Sequence, residues 1–169
     1  MSEITAVTFD LWQTLLLDNR ELGRARAQVR LEGTQQALTQ SSEEYDLEHI
    51  REAYRACFRQ CRQIRETGLD LTFRKQVELF INLISPDLIS RLPDPVILDI
   101  MRAYSDSFFV HPPIPHTDMH SVLKGARDMG LKIGLISNTG MTPGVAFRRF
   151  LKENGVLHLF DILTFSDEV

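Results

Sequence analysis

Apolar residues recur at steps of three and four through the middle of this chain and at strand-like density near both ends. Leu47, Ile50, Tyr54, Cys57, Cys61 and Ile64 form the clearest helical series, with Asp46 placed to cap it and Gly68 to stop it. Before it, Asp18 or Asn19 can cap a helix through Leu22, Ala25 and Val29 toward Leu38, with Glu21 positioned as in a capping box. A third helix is predicted from Thr72, burying Phe73, Val77, Phe80, Ile81 and Ile84 before Pro86. A fourth opens at Asp94-Pro95 and buries Ile97, Ile100, Met101, Tyr104 and Phe108. Four amphipathic helices joined by short links predict a small bundle.

The ends read differently. Ala6-Val7-Thr8-Phe9 is an apolar, β-branched run that stops at Asp10, and Leu131 to Ile136 is a second run that stops at Ser137-Asn138. Both are predicted to be buried parallel strands, whose carboxyl ends are where open α/β sheets place their ligands. Between them, three prolines in His111 to Pro115 predict a linker, and Met119, Val122, Leu123, Ala126 and Met129 a helix closed by Gly130. Thr142-Pro143 starts a further helix with Val145, Phe147, Phe150 and Leu151 on its apolar face, and Asp161 to Ser166 supplies a third strand.

Composition narrows the function classes. The formal net charge is −4 and no long basic run occurs, which gives a nucleic-acid surface little support. No early apolar stretch approaches the ~20 residues of a membrane span and no signal-peptide pattern opens the chain. Cys57 and Cys61, four apart in a helix, read as reduced core residues rather than a disulfide or metal pair, which fits the expectation of a cytoplasmic protein. Arg20, Arg24, Arg26 and Arg30 are expected mainly on a solvated face, although one of them could grip an anionic substrate. His116 and His120 have a spacing a metal could use, and exposure near a helix start is the preferred reading.

Asp10-Leu11-Trp12-Gln13-Thr14-Leu15 after one strand and Ser137-Asn138 after another resemble the first two motifs of the haloacid dehalogenase (HAD) superfamily of hydrolases. The resemblance is carried by the two ends of the chain, and the middle agrees by position and helicity. It implies a Rossmann-like parallel α/β core, partial here, over residues 1–17 and 111–169, with residues 18–110 as a four-helix cap inserted after the first motif. It implies Asp10 as a nucleophile that forms a covalent aspartyl intermediate. Ser137 and Asn138 are then expected to hold a phosphate group, with Thr14 steadying the loop. In the phosphatase branch Mg²⁺ is expected on Asp10 and the backbone carbonyl of Trp12. The expected partner is a small, anionic, phosphorylated molecule.

Trp12 departs from the pattern. The family's Asp-x-Asp carries its acid/base at this position, and tryptophan cannot transfer a proton. Dehalogenase-type or phosphonate-type chemistry, the former without a metal, is therefore a second expectation, and a non-catalytic member binding a phospholigand or a protein partner a third. A purely structural helical module ranks last, because it leaves the strand-end motifs unexplained. The family's third motif, a lysine, and its fourth, an acidic pair, have no counterpart before Val169, and Asp167 and Glu168 are not matched to the acidic pair. Two further strands are expected from the resemblance, one flanking the Asp10 strand, so the sequence reads as part of a longer protein or as a shortened form.

Overall fold

The computed structural model describes residues 4–169. The chain runs β1 (Ala6–Phe9), β2 (Leu16–Leu17), α1 (Arg20–Gln40), α2 (Leu47–Glu66), α3 (Phe73–Ile84), α4 (Leu88–Arg91), α5 (Asp94–Val110), β3 (Ile114–Pro115), α6 (Met119–Asp128), β4 (Lys132–Ser137), α7 (Gly144–Glu153), a 3₁₀ turn (Leu157–Leu159) and β5 (Ile162–Phe165). It is a mixed α/β fold whose main sheet is parallel, in the order β1-β4-β5.

Local chemistry explains most boundaries. Asn19 begins α1 by accepting the Leu22 N–H at 2.9 Å, and Asp46 begins α2 by accepting that of His49 at 2.7 Å. Thr72 accepts from the Lys75 N–H at the start of α3. Gly68, after α2, and Gly130, after α6, turn the chain with φ of 83° and 75°, a region closed to most side chains. Prolines shift two starts. Pro93, not Asp94, is the first cap of α5, and Pro143 precedes the first residue of α7.

Two apolar clusters divide the interior. One gathers Leu38, Ile50, Cys57, Cys61, Phe80, Ile81, Ile100 and Tyr104 from α1, α2, α3 and α5, and takes in Met141 from the loop after β4. The other packs Leu11, Leu16, Leu123, Ile133, Leu135, Phe147, Leu151 and Phe165 around the sheet, and Phe108 near the end of α5 belongs to it. Helix α5 thus reaches both clusters and ties the helical segment to the sheet. Cys57 and Cys61 are free and buried, as expected.

Three expectations change. Strand β1 is an edge, not a buried interior strand: Ala6 and Thr8 are exposed, because among the described residues only β4 pairs with it. Helix α1 is turned by about one residue, ~100°, from the predicted face. Its buried positions are Arg26, Arg30, Leu31, Thr34, Ala37 and Leu38, whereas Leu22, Ala25 and Val29 are half-buried. Arg26 and Arg30 are each 4% exposed, so the solvated-face reading holds only for Arg20 and Arg24. Val145, expected on the apolar face of α7, is exposed. The structure adds small elements beyond these expectations: helix α4, the 3₁₀ turn, and an antiparallel pairing of β2 with β3, the latter inside the proline-rich linker.

Candidate active site at the carboxyl edge of the sheet

The parallel register sets Phe9 beside Leu135 and Ser137 beside Phe165. Asp10, one residue past β1, and Ser137-Asn138, at the end of β4, therefore leave the sheet along the same carboxyl edge. Asp10 is exposed and makes no ion pair or side-chain hydrogen bond with the described residues. Its carboxylate has lone pairs free for chemistry.

The turn after Asp10 is tightly built. The Leu11 carbonyl accepts the N–H groups of Leu15 at 3.0 Å and Leu16 at 2.9 Å, and the Leu16 carbonyl accepts that of Gln13 at 2.8 Å. Gln13 takes φ of 58°, the left-handed region, and its side chain donates to the Asp18 carbonyl at 2.9 Å. The indole of Trp12 meets Phe147 edge-on at 5.2 Å between centroids and Phe108 at 6.3 Å. Its ring packs against the sheet's apolar cluster.

Ser137 is buried, and its hydroxyl has only a long contact, 3.4 Å, to the neighbouring Asn138 carbonyl. Asn138 is exposed and lines an open hollow of about 480 Å³ with Arg65, Leu69, Asp70 and Ser166. Thr14 lies elsewhere, in a hollow of about 200 Å³ with Phe9, Leu15, His116 and Met119. Asp10, Ser137 and Asn138 thus share the sheet edge, while Thr14 faces the β2–β3 side.

Helices overhang this edge through polar contacts. Arg65 pairs with Asp70 at 2.9 Å and donates to the Gly140 carbonyl at 2.7 Å, and the Ser166 hydroxyl donates to Asp70 at 2.6 Å. Ser166 also accepts the Thr139 N–H at 3.1 Å. Asp167 accepts the Gly144 N–H at the start of α7, and burial holds its carboxyl above the usual carboxylate range against that favourable contact. Deeper in, burial raises the Tyr104 phenol, and the contact with Cys61, together with burial, raises the Cys57 thiol. No sequence signal marked Arg65, Asp70 or Ser166. Arg26 and Arg30 stand four apart on one helical face in the sequence, where a solvated face is the main expectation and a grip on an anionic substrate the alternative.

The oxygen donors at this edge are of the type that Mg²⁺ takes: the free carboxylate of Asp10 and the Trp12 carbonyl, which accepts no backbone hydrogen bond. Among the described residues, no group of three or more His, Cys, Asp or Glu side chains is gathered to hold a metal ion. His116 and His120 are not so gathered either: the His116 ring accepts the Asp118 N–H at 3.2 Å.

A parallel sheet with a free carboxylate at one strand end and a hydroxyl-amide pair at the next defines an α/β protein with a strand-end site. Among solved structures it is similar to a predicted phosphoglycolate phosphatase from Haemophilus somnus, at 12% identity over 100% of this chain and 65% of that one, with a TM-score of 0.48. It is also similar to L-2-haloacid dehalogenase from Xanthobacter autotrophicus with chloropropionic acid covalently bound, at 16% identity over 98% of this chain and 58% of that one, TM-score 0.47. A Bacillus subtilis protein assigned to the HAD-hydrolases, YfnB, bound to magnesium, matches at 12% identity over 99% and 65%, TM-score 0.49. The chain spans less than two thirds of the length of each of these three. No family model and no curated protein matches the sequence. No helix among the described residues is long and apolar enough to cross a membrane.

Proposed function

We propose that this chain carries the nucleophile-bearing part of a HAD-like hydrolase acting on a small anionic molecule. The observation that supports it is the register of β1 against β4, which sets Asp10 and Ser137-Asn138 on one sheet edge. In the proposed step an Asp10 carboxylate oxygen forms a bond to phosphorus or carbon while the leaving group departs with its bonding electrons. Water then cleaves the aspartyl ester or acyl phosphate, restoring the carboxylate. Ser137 donates its hydroxyl to an oxygen of the bound anion, Asn138 fixes that group, and Thr14 steadies the turn. In the phosphatase form Asp10 and the Trp12 carbonyl would hold Mg²⁺, which would offset the repulsion between an anionic nucleophile and an anionic substrate. The helices within residues 18–110 serve as a cap over the site.

The packing of Trp12 on Phe108 and Phe147 favours a second form of the reading. A halide leaves without a proton, so displacement at carbon needs no acid at this position, whereas an alkoxide leaving from a phosphate ester does. The test is a screen of phosphate esters with Mg²⁺ and of 2-haloacids without metal, run on the wild type and Asp10→Asn. Turnover that falls to background in Asp10→Asn, with an unchanged fold by circular dichroism, supports the reading. Equal rates in both proteins overturn it.

A further inference from the structure

Arg30 is a buried cation with no anionic partner among the described residues. It is 4% exposed and enters no salt bridge with the described residues. Its Nε donates to the Ser107 hydroxyl at 2.9 Å and more weakly to the Tyr104 carbonyl at 3.4 Å. Nη1 donates to the Tyr54 hydroxyl at 3.0 Å, and Nη2 to the Thr142 hydroxyl at 2.9 Å. All four acceptors are neutral. A guanidinium has five N–H groups, and one on each Nη is left without a partner.

Burying a charge without a counter-charge is expensive, and chains tolerate it where something else supplies the charge. The surroundings show where that would be. Arg30, Tyr54 and Thr142 line an open hollow of about 240 Å³ between α1, α2 and the loop after β4, together with Trp12, Asp18 and Arg26. Tyr54 and Thr142 accept from Arg30 and donate to none of the described residues, which leaves both hydroxyl protons for a ligand. Arg26 in the same hollow has its charge balanced by the Asp18 carboxylate and donates also to the His111 carbonyl. The other oxygen of Asp18, Oδ1, is buried and has no hydrogen-bond partner. The hollow thus offers one uncompensated cation, two spare hydroxyl donors and one orphaned acceptor.

We propose that this hollow binds a small oxyanion that also carries a hydrogen-bond donor. The oxyanion takes the free N–H groups of Arg30 and the hydroxyls of Tyr54 and Thr142. The ligand's own O–H or N–H satisfies Asp18. Bidentate contact of a planar guanidinium with an oxyanion supplies both charge balance and orientation. The site stands on Arg30 and is independent of whether Asp10 reacts.

The test is the thermal midpoint of the 169-residue chain titrated with glycolate, acetate and inorganic phosphate, each against sodium chloride of equal ionic strength. A ligand that binds only the folded state raises the midpoint with its concentration. Glycolate or phosphate is expected to do so, glycolate more than acetate because only glycolate brings a donor for Asp18. Arg30→Met removes the charge at similar volume and is expected to abolish the effect. Thr142→Val keeps Arg30 and is expected to weaken binding about 10-fold, the worth of one hydrogen bond to a charged group. If Arg30→Met fails to fold, Thr142→Val and Tyr54→Phe carry the test. No rise beyond chloride in the wild type, or an equal rise in the variants, overturns the site, and acetate matching glycolate overturns the role of Asp18. Asp10→Asn is expected to keep the rise in full. Binding without turnover therefore defeats only the catalytic reading, and turnover without Arg30-dependent binding defeats only this one.

Discussion

The hydroxyl of Ser166 donates to the carboxylate of Asp70 at 2.6 Å, joining residues 96 positions apart. Asp70 also faces Arg65, whose other contact is the Gly140 carbonyl. One carboxylate therefore fastens the turn after α2 to the two loops that follow β4 and β5. Its side chain is only 4% exposed and that of Arg65 19%, so water screens the pair little.

Removing Asp70 should cost more than removing Ser166. Asp70→Ala leaves Arg65 largely desolvated and unpaired, at a cost of roughly 2–3 kcal/mol, below the value for a fully buried pair because Arg65 keeps some water. Ser166→Ala gives up the hydrogen bond to this charge and the one it accepts from the Thr139 N–H, about 2 kcal/mol, but leaves the Arg65–Asp70 pair in place. Urea unfolding of both variants measures the order. An Asp70→Ala protein as stable as the wild type would mean that the contact does not hold the helices down.

Trp12 is the sole tryptophan of the chain, so its fluorescence reports the Trp12–Phe108–Phe147 cluster directly. Trp12→Ala should destabilise by roughly 2–4 kcal/mol, since the half-buried ring loses area and two edge-on contacts. In the wild type, the urea transition seen by fluorescence should coincide with that seen by far-ultraviolet circular dichroism, because α5 spans both apolar clusters. An earlier fluorescence transition would show that the sheet cluster opens first.

What the sequence made legible follows from how local each signal is. Asp46 and Gly68 bound α2 within a residue or two because capping and a left-handed stop act over one turn of chain. The strand ends at Asp10 and Ser137 were equally readable. Arg30 was not: inward and outward faces of α1 differ by one position, and Val29 competes for the inner face by its apolarity. Only the hydroxyls of Ser107 and Thr142, 77 and 112 residues away, make Arg30 the better buried residue. The β2–β3 pair was hidden for a similar reason, since Ile114 and Pro115, in a proline-rich stretch, acquire strand geometry only when Leu16 and Leu17 pair with them.

Two aspartates should give opposite pH signatures. Burial raises Asp167, so the folded chain holds its proton more tightly than the unfolded chain, and ionising it costs stability. That contribution is complete below the unfolded value and is lost as pH rises through the raised folded value. Asp161 is lowered, first by the Ile133 N–H at 2.8 Å and then by Lys132 and Arg127. Its contribution is present above the unfolded value and is lost as pH falls through the folded one. Against the wild type in urea, Asp167→Asn should gain as pH rises above the carboxylate range. Asp161→Asn should be weaker at neutral pH and converge in acid. A parallel pair of profiles would contradict both assignments.

Gly33 lies where α1 and α5 come close together. A Cβ built there would lie 2.5 Å from the Cβ of Ala103, closer than two carbons can sit. Helix propensity alone favours Gly33→Ala by about 1 kcal/mol. Overpacking between two helices opposes it by roughly 1–3 kcal/mol, because both colliding atoms sit directly on backbone and cannot swing aside. The net expectation is destabilisation, unlike most glycine-to-alanine changes within helices. Ala103→Gly alone should cost about 1 kcal/mol by the same propensity. Combined, the two substitutions exchange which helix supplies the methyl group and should recover most of the loss. The double-mutant cycle from urea unfolding therefore has a favourable coupling of roughly 1–3 kcal/mol if the contact is as close as it stands. Additive changes would place α1 and α5 further apart than they are here.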